Sequence, residues 1–329
     1  MCLYRNDVMN PLGQTILKDV SRSFYLSMRV LPKTMRDPIS LGYLLARASD
    51  TLADTGDLDA SLRFEMLTGL RDILHGADSS DWLRRLERDV IPRQQHVGEK
   101  SLLEKMHGVL AWLESLREAS DSVAADHDQP ALPPSISSRQ HAAILTVMDH
   151  ILRGQRLDIE RFELQQGFQF SLDAELDEYC FLVAGSVGEF WTEIGAISLG
   201  EFSHIETAKL KRWGANYGKG LQLINILRDL PSDLKAGRCY LPHVDATDRD
   251  ALMAESLRWR TQARRYLEDG QSYAQSLVKR RIRAATALPG LIGERTLDLM
   301  DAADWYELEQ GVKISRREVY RSAWDALIV

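Results

Sequence analysis

Apolar residues recur at three- and four-residue intervals through segments 12–30, 36–54, 60–75, 101–119, 138–166, 173–199, 203–230, 247–283 and 293–310. This period constrains the fold more than any other feature of the chain. Alternating runs of Val, Ile and Thr, the pattern of strands, are nearly absent. Breaks are sparse, with 10 prolines and 21 glycines in 329 residues, and there is no internal repeat or low-complexity tract. The most polar break, 121–139, carries three prolines, yet the segments on either side match in period and composition. The pattern predicts one all-α domain over residues 1–329, with 121–139 a surface loop inside it.

Composition narrows the function. Lys plus Arg number 41 against 48 Asp plus Glu, a net charge of −7, which lacks the basic field that coating a nucleic acid requires. No uninterrupted run of eighteen apolar residues exists, and residues 1–10 lack the apolar stretch of a signal peptide. Cys2, Cys180 and Cys239 have no CxxC spacing and are too few for a disulfide framework. The histidines form no HExxH and none pairs with Cys at zinc spacing. A reduced, soluble, cytoplasmic protein is expected.

Two segments carry chemistry. In 43–54, measured at about 100° per residue from Tyr43, Arg47 falls at about 40°, Asp50 at about 340° and Asp54 at about 20°. Two carboxylates four residues apart repel each other by a few tenths of a kcal/mol, so a shared stripe suits either a solvated acidic face or a bound cation. An all-oxygen set suits Mg²⁺, with Mn²⁺ as a substitute; Mg²⁺ takes one or two carboxylates and completes its shell with water and phosphate oxygens. In 218–242, Gln222, Asn225, Asp229 and Asp233 interrupt an apolar run at about 0°, 300°, 340° and 20°. They form either a buried hydrogen-bond network or a second binding stripe. Pro231 lacks an N–H for the Leu227 carbonyl and clashes with it, so the helix is expected to kink or end there. Two acidic pairs, each with an arginine beside it (Arg47, Arg228), are jointly explained by a clamp on a diphosphate through Mg²⁺, with the arginines on phosphate oxygens.

At this point the chain resembles the squalene and phytoene synthases, the head-to-head isoprenyl diphosphate synthases. The resemblance covers about residues 15–325 and rests on blocks in the family's order: SRSFYLSMRVLP (21–32), YLLARASDTLAD (43–54), YCFLVAGSVGEF (179–190), LQLINILRDLPSDLKAGRCYLP (221–242) and VKISRR (312–317). It implies a single-domain, all-α isoprenoid synthase bundle around a central cavity. Asp50, Asp54, Asp229 and Asp233 match the family's metal-binding aspartates, although Thr55 stands where another acid is common. Arg22, Ser23 and Phe24 match positions for phosphate and prenyl chain; Gln222 and Asn225 match polar positions before the second motif. Tyr179 matches a tyrosine beside the reacting carbons, where a phenol relays a proton or stabilises a carbocation; otherwise it is a buried helix tyrosine. Gly185 and Gly188 either make room for a prenyl chain or allow close helix packing.

The resemblance further implies prenyl diphosphate substrates and condensation of two farnesyl diphosphates through presqualene diphosphate to squalene, with reduction by NADPH. Lys313, Arg316 and Arg317 match a segment that helps hold NADPH, or they are surface cations before a final helix; Ser315 stands where squalene enzymes often carry Arg. No GxGxxG fingerprint is present. Phytoene or dehydrosqualene synthesis without NADPH, a terpene cyclase or aromatic prenyltransferase on the same bundle, and a non-enzymatic scaffold remain the alternatives. Eukaryotic family members end in a membrane span, whereas residues 324–329 fall far short of the roughly 20 apolar residues a span needs, so any membrane contact is expected to be peripheral. The basic runs at 258–265 and 279–283 read as a solvated face or as attraction to anionic lipid.

Overall fold

The computed structural model describes residues 30–123 and 138–329, together with Leu17, Val20 and Met28. Among the described residues the structure is helical throughout, and the only β pairings are the isolated bridges Gln169–Cys239 and Ser203–Leu277. Contacts group these residues into two compact units, one running to Ile159 and including Glu193–Gly200, the other comprising Glu160–Thr192 and Glu201–Val329.

The first unit contains α1 (Lys33–Asp54), α2 (Ala60–Leu74), α3 (Ser80–Arg85), α4 (Val97–Glu104), α5 (Met106–Val123) and α6 (Ser138–Ile159). One face of α1 buries Leu41, Leu44, Leu45, Ala48 and Leu52 against α6 and α2. Pro38 lies inside α1 and cannot donate to the Thr34 carbonyl; Gln140 on α6 does so instead, Nε2 to O at 3.1 Å. Residues 80–93 fall outside the segments predicted as helical, although Trp82, Leu86 and Val90 recur at four-residue spacing; they form α3, a π turn at Leu86–Val90 and a 3₁₀ turn at Ile91–Arg93. Trp82 pins them: its indole N–H donates to the Met66 carbonyl at 2.9 Å, and its ring lies over Gly69, where a Cβ would come within 2.6 Å. Of the surface loop expected over 121–139, residues 121–123 belong to α5 and 138–139 to α6, and 124–137 lie outside the described residues.

The second unit holds α7 (Asp173–Cys180), a π turn at Phe181–Gly185, the start of α8 (Ser186–Ser198), then α9 (Thr207–Lys235), α10 (Arg249–Ser276), α11 (Arg280–Ala302), α12 (Trp305–Gln310) and α13 (Arg316–Ala326). α9 is its axis, packed on α10, α11 and the π turn. Two sequence expectations change here. The helix does not end at Pro231 but runs to Lys235, because the proline removes one donor near the helix end while Ser232 and Asp233 still accept from Ala236 and Arg238. The single segment expected over 247–283 is two helices, broken at residues 277–279, where the Val278 N–H donates to the Phe202 carbonyl at 3.0 Å.

The glycine question is also decided by geometry. A Cβ on Gly188 would lie 1.9 Å from the Gly214 carbonyl oxygen, and one on Gly218 2.2 Å from that of Ala184. These glycines bring two helix backbones together, and they leave no room for a prenyl chain between them. Residues Asp173–Ser198 are long and apolar enough to cross a bilayer by length and composition, with mean hydropathy 1.2 over their most apolar window. The glycine contacts show this stretch packing as a core helix against α9.

Candidate active site

In the first unit, burial of the α1 leucines turns Tyr43, Arg47, Asp50 and Asp54 to the opposite face. Asp54 is exposed and Asp50 half-buried. Burial, and after it the charge of Asp54, pushes the Asp50 carboxyl up to about 6; Arg47 and a hydrogen bond from Gln155 act the other way. That bond runs from Gln155 Nε2 to Asp50 Oδ1 at 2.5 Å. Arg47 is ion-paired with Glu99 of α4, and the Tyr43 hydroxyl donates to the Val20 carbonyl at 3.4 Å. Thr55 is buried and donates to the Thr51 carbonyl at 2.6 Å, so it is part of the helix end and not a ligand.

Gln155 was not anticipated. It is buried, its amide oxygen has no partner, and it continues the apolar series Ile144, Met148, Ile151 and Leu152 on α6. A polar residue at an interior helical position was the available signal.

In the second unit, Leu223, Ile224 and Leu227 of α9 are buried while Gln222, Arg228, Asp229 and Asp233 are half-buried and Asn225 is exposed. Among the described residues Gln222 and Asn225 make no side-chain hydrogen bond, which removes the buried-network reading of this stripe. Arg228 grips Asp229 in a fork, Nε to Oδ1 at 2.8 Å and Nη2 to Oδ2 at 2.6 Å. Asp233 lies 3.6 Å from Arg238.

Tyr179 is half-buried in an aromatic cluster. Its ring stacks on Tyr240, with centroids 5.1 Å apart and planes at 20°, and meets the edge of Phe170 at 5.8 Å. Phe162 adjoins both Phe170 and Tyr240. The cluster is held by two connecting segments that pair with each other: Phe170 N–H donates to the Cys239 carbonyl at 3.1 Å and Cys239 N–H to the Phe168 carbonyl at 2.8 Å. Phe162, Phe170 and Tyr240 escaped the sequence reading because the latter two lie outside helices, where no period marks them.

Arg22, Ser23 and Phe24 lie outside the described residues. Lys313, Arg316 and Arg317 are solvent-exposed, and Ser315 caps α13, its hydroxyl accepting from the Glu318 N–H. A cleft of about 580 Å³ is lined by Arg258 and Arg265 of the basic run together with Asp173 and Tyr266, and one of about 340 Å³ by His107, Glu114 and His141; neither contains a residue of the two acidic stripes or Tyr179. Among the described residues no three His, Cys, Asp or Glu side chains converge as a ready metal cage. The acidic groups are pairs, which is the donor set Mg²⁺ uses when phosphate oxygens and water complete its shell.

Among similar proteins, the presqualene diphosphate synthase of Rhodopseudomonas palustris is 27% identical over 250 residues, 71% of this chain and 65% of that protein. The chain thus spans just under two thirds of that relative's length. The phytoene synthase of Mycobacterium bovis is 23% identical over 297 residues, 90% of this chain and 70% of that protein. A solved ligand complex of TcSQS superposes with a TM-score of 0.72 at 20% identity, over 98% of this chain and 90% of that one, and shows the same all-helical fold. The squalene/phytoene synthase family model matches residues 17–318, and the chain belongs to that family.

Proposed function

We propose that this chain joins two farnesyl diphosphates head to head through presqualene diphosphate, with squalene as the end product when NADPH is supplied. The observation that carries the condensation is the pair of acidic stripes, Asp50 with Asp54 and Asp229 with Asp233, each on a long helix whose opposite face is buried. Asp50, Asp54, Asp229 and Asp233 would hold Mg²⁺. The raised Asp50 carboxyl fits that role, because a half-buried anion beside a second anion lacks the counter-charge a divalent cation brings. When bound, the metal supplies positive charge that neutralises the departing diphosphate.

The chain's own residues do the rest. Arg228 presents a planar fork, here on Asp229, that suits two phosphate oxygens equally well. The donor's allylic C–O bond breaks and its electron pair leaves with diphosphate. The acceptor's double bond then attacks the allylic cation, and loss of a proton closes the cyclopropane of presqualene diphosphate. The half-buried Tyr179 ring, stacked on the buried Tyr240, is suited to such a cation, worth about 0.5–2 kcal/mol when desolvated, while the buried Phe170 carries the Arg161 guanidinium over its ring at 4.9 Å and backs the pair. Packed aromatic walls also keep out water, which would trap the cation as an alcohol.

Lys313, Arg316 and Arg317 do not fit NADPH as a cradle. All three are exposed, and the Ser315 hydroxyl among them is engaged in capping. No hydride step is assigned to them, and the squalene end product rests on the resemblance. Phytoene or dehydrosqualene synthesis is the second reading, favoured by the mycobacterial phytoene synthase, whose match extends over 90% of this chain. Mass spectrometry of extracts after incubation with farnesyl or geranylgeranyl diphosphate, with and without NADPH, separates them. Squalene formed from farnesyl diphosphate only with NADPH supports the proposal; phytoene from geranylgeranyl diphosphate, or identical products with and without NADPH, rejects it.

A further inference from the structure

Among the described residues, the outer face of α13 and of the two residues that follow it is apolar, aromatic and unpartnered. Tyr320 is 75% exposed, Trp324 68%, Leu327 49% and Ile328 70%. Measured from Tyr320 at about 100° per residue, Trp324 falls at about 40° and Leu327 at about 340°, so they form one stripe. The opposite face is anchored: Ser322 and Ala326 are buried, Ala326 in a cluster with Ala274 and Ala287, and Arg295 of α11 donates to the Glu318 carbonyl at 2.6 Å. The stripe is therefore presented by a fixed helix.

Charge around the stripe is one-signed. Arg316, Arg317 and Arg321 flank it, at about 320°, 60° and 100°, and all three are exposed without a partner among the described residues. The two acids of α13 are engaged within the protein, Glu318 in the cap with Ser315 and Asp325 with Arg295 at 2.6 Å. Arg280 of α11 donates to the Leu327 carbonyl, which places the exposed Lys279 and Arg281 beside the far end of the stripe. In the basic run of α10 most arginines are neutralised, although Arg265 is exposed and unpaired among the described residues. In the basic run 258–265, Arg258 pairs with Asp173 and Glu255, Arg260 with Asp301, and Arg264 with Asp298 and Asp301. In a chain of net charge −7 this is a local concentration of free cations around exposed aromatic and aliphatic side chains.

We propose that this face of α13 lies flat on an anionic lipid bilayer, with Tyr320, Trp324, Leu327 and Ile328 at the headgroup–acyl boundary and Arg316, Arg317, Arg321, Lys279 and Arg281 on lipid phosphates. An aromatic stripe bordered by arginines is the pattern of a helix held in the interface plane. This reading does not depend on the reaction proposed above, and its test needs no turnover.

The test is co-sedimentation of the full chain with phosphatidylglycerol-rich vesicles and with pure phosphatidylcholine vesicles, at low and high salt, alongside sedimentation velocity without lipid. Wild type is expected on the anionic vesicles, with release at high salt. Tyr320→Ser with Trp324→Ser lowers the partition coefficient by about tenfold. Arg321→Gln, at an exposed position where folding is not at issue, lowers it by about fivefold. Failure of wild type to bind, equal binding to neutral vesicles, or variants that bind as well as wild type would each overturn the proposal. So would a lipid-free dimer that the Tyr320/Trp324 variant dissolves, which would assign the face to a second copy of the chain.

Discussion

Replacing Asp50 by Asn separates what the acid does for the reaction from what it does to the fold. In the folded protein the carboxyl is raised from 3.8 to about 6, chiefly by burial and secondly by Asp54. A raised carboxyl means that the folded state holds its proton more tightly than the unfolded chain. Asp50 therefore weighs against folding above about pH 6, and that cost fades as pH falls from about 6 toward 3.8. At about 1.4 kcal/mol per pH unit the full shift corresponds to about 3 kcal/mol at neutral pH, and screening of a half-buried group reduces it to about 1–3 kcal/mol. Asn keeps an oxygen to accept from Gln155 Nε2, so the packing is retained. For a chain of this length, Asp50→Asn is expected to melt about 1–4 °C higher at pH 7.5 in chelator, with roughly half that gain at pH 5. Turnover with farnesyl diphosphate and Mg²⁺ should fall by about a hundredfold or more. A lower melting temperature at pH 7.5, a gain that does not shrink at pH 5, or activity above about a tenth of wild type would refute the reasoning.

Gly188→Ala puts a Cβ 1.9 Å from the Gly214 carbonyl and is expected to destabilise the protein by about 3 kcal/mol, read as a lowered urea midpoint; an unchanged midpoint would mean the helices separate freely. Tyr240→Leu should lower kcat by about tenfold, while Tyr240→Phe, which keeps the ring stacked on Tyr179, retains most of it. If Leu and Phe behave alike, the ring faces do not stabilise the cation.

The fold class was legible because helical period survives in any window, and so were the acidic stripes, since i,i+4 spacing places side chains whatever the helix packs against. Other features depend on partners distant in the chain. The role of Gly188 is set by Gly214, on a different helix, and either function or packing suits a bare glycine codon by codon. Arg47 reads as a free cation until Glu99, far along the chain, is found beside it. The aromatic cluster joins Phe162 and Tyr179 to Phe170 and Tyr240 on segments outside the helices, where no period exists to align them. At Pro231, where the sequence allowed a kink or an end, the helix does not end: a proline is a strong local breaker, but near a helix terminus few bonds are left for it to remove.

The central claim is that two prenyl diphosphates are joined head to head at sites bearing Asp50, Asp54, Asp229 and Asp233. The most direct measurement is a time course with isotopically labelled farnesyl diphosphate and Mg²⁺ without NADPH, following released diphosphate and the carbon skeleton of the product together. The account predicts one diphosphate released for every two substrates consumed as presqualene diphosphate accumulates, and loss of both signals in Asp229→Asn as in Asp50→Asn. One diphosphate released for every substrate, with farnesol or a cyclised fifteen-carbon hydrocarbon as the product, would contradict it.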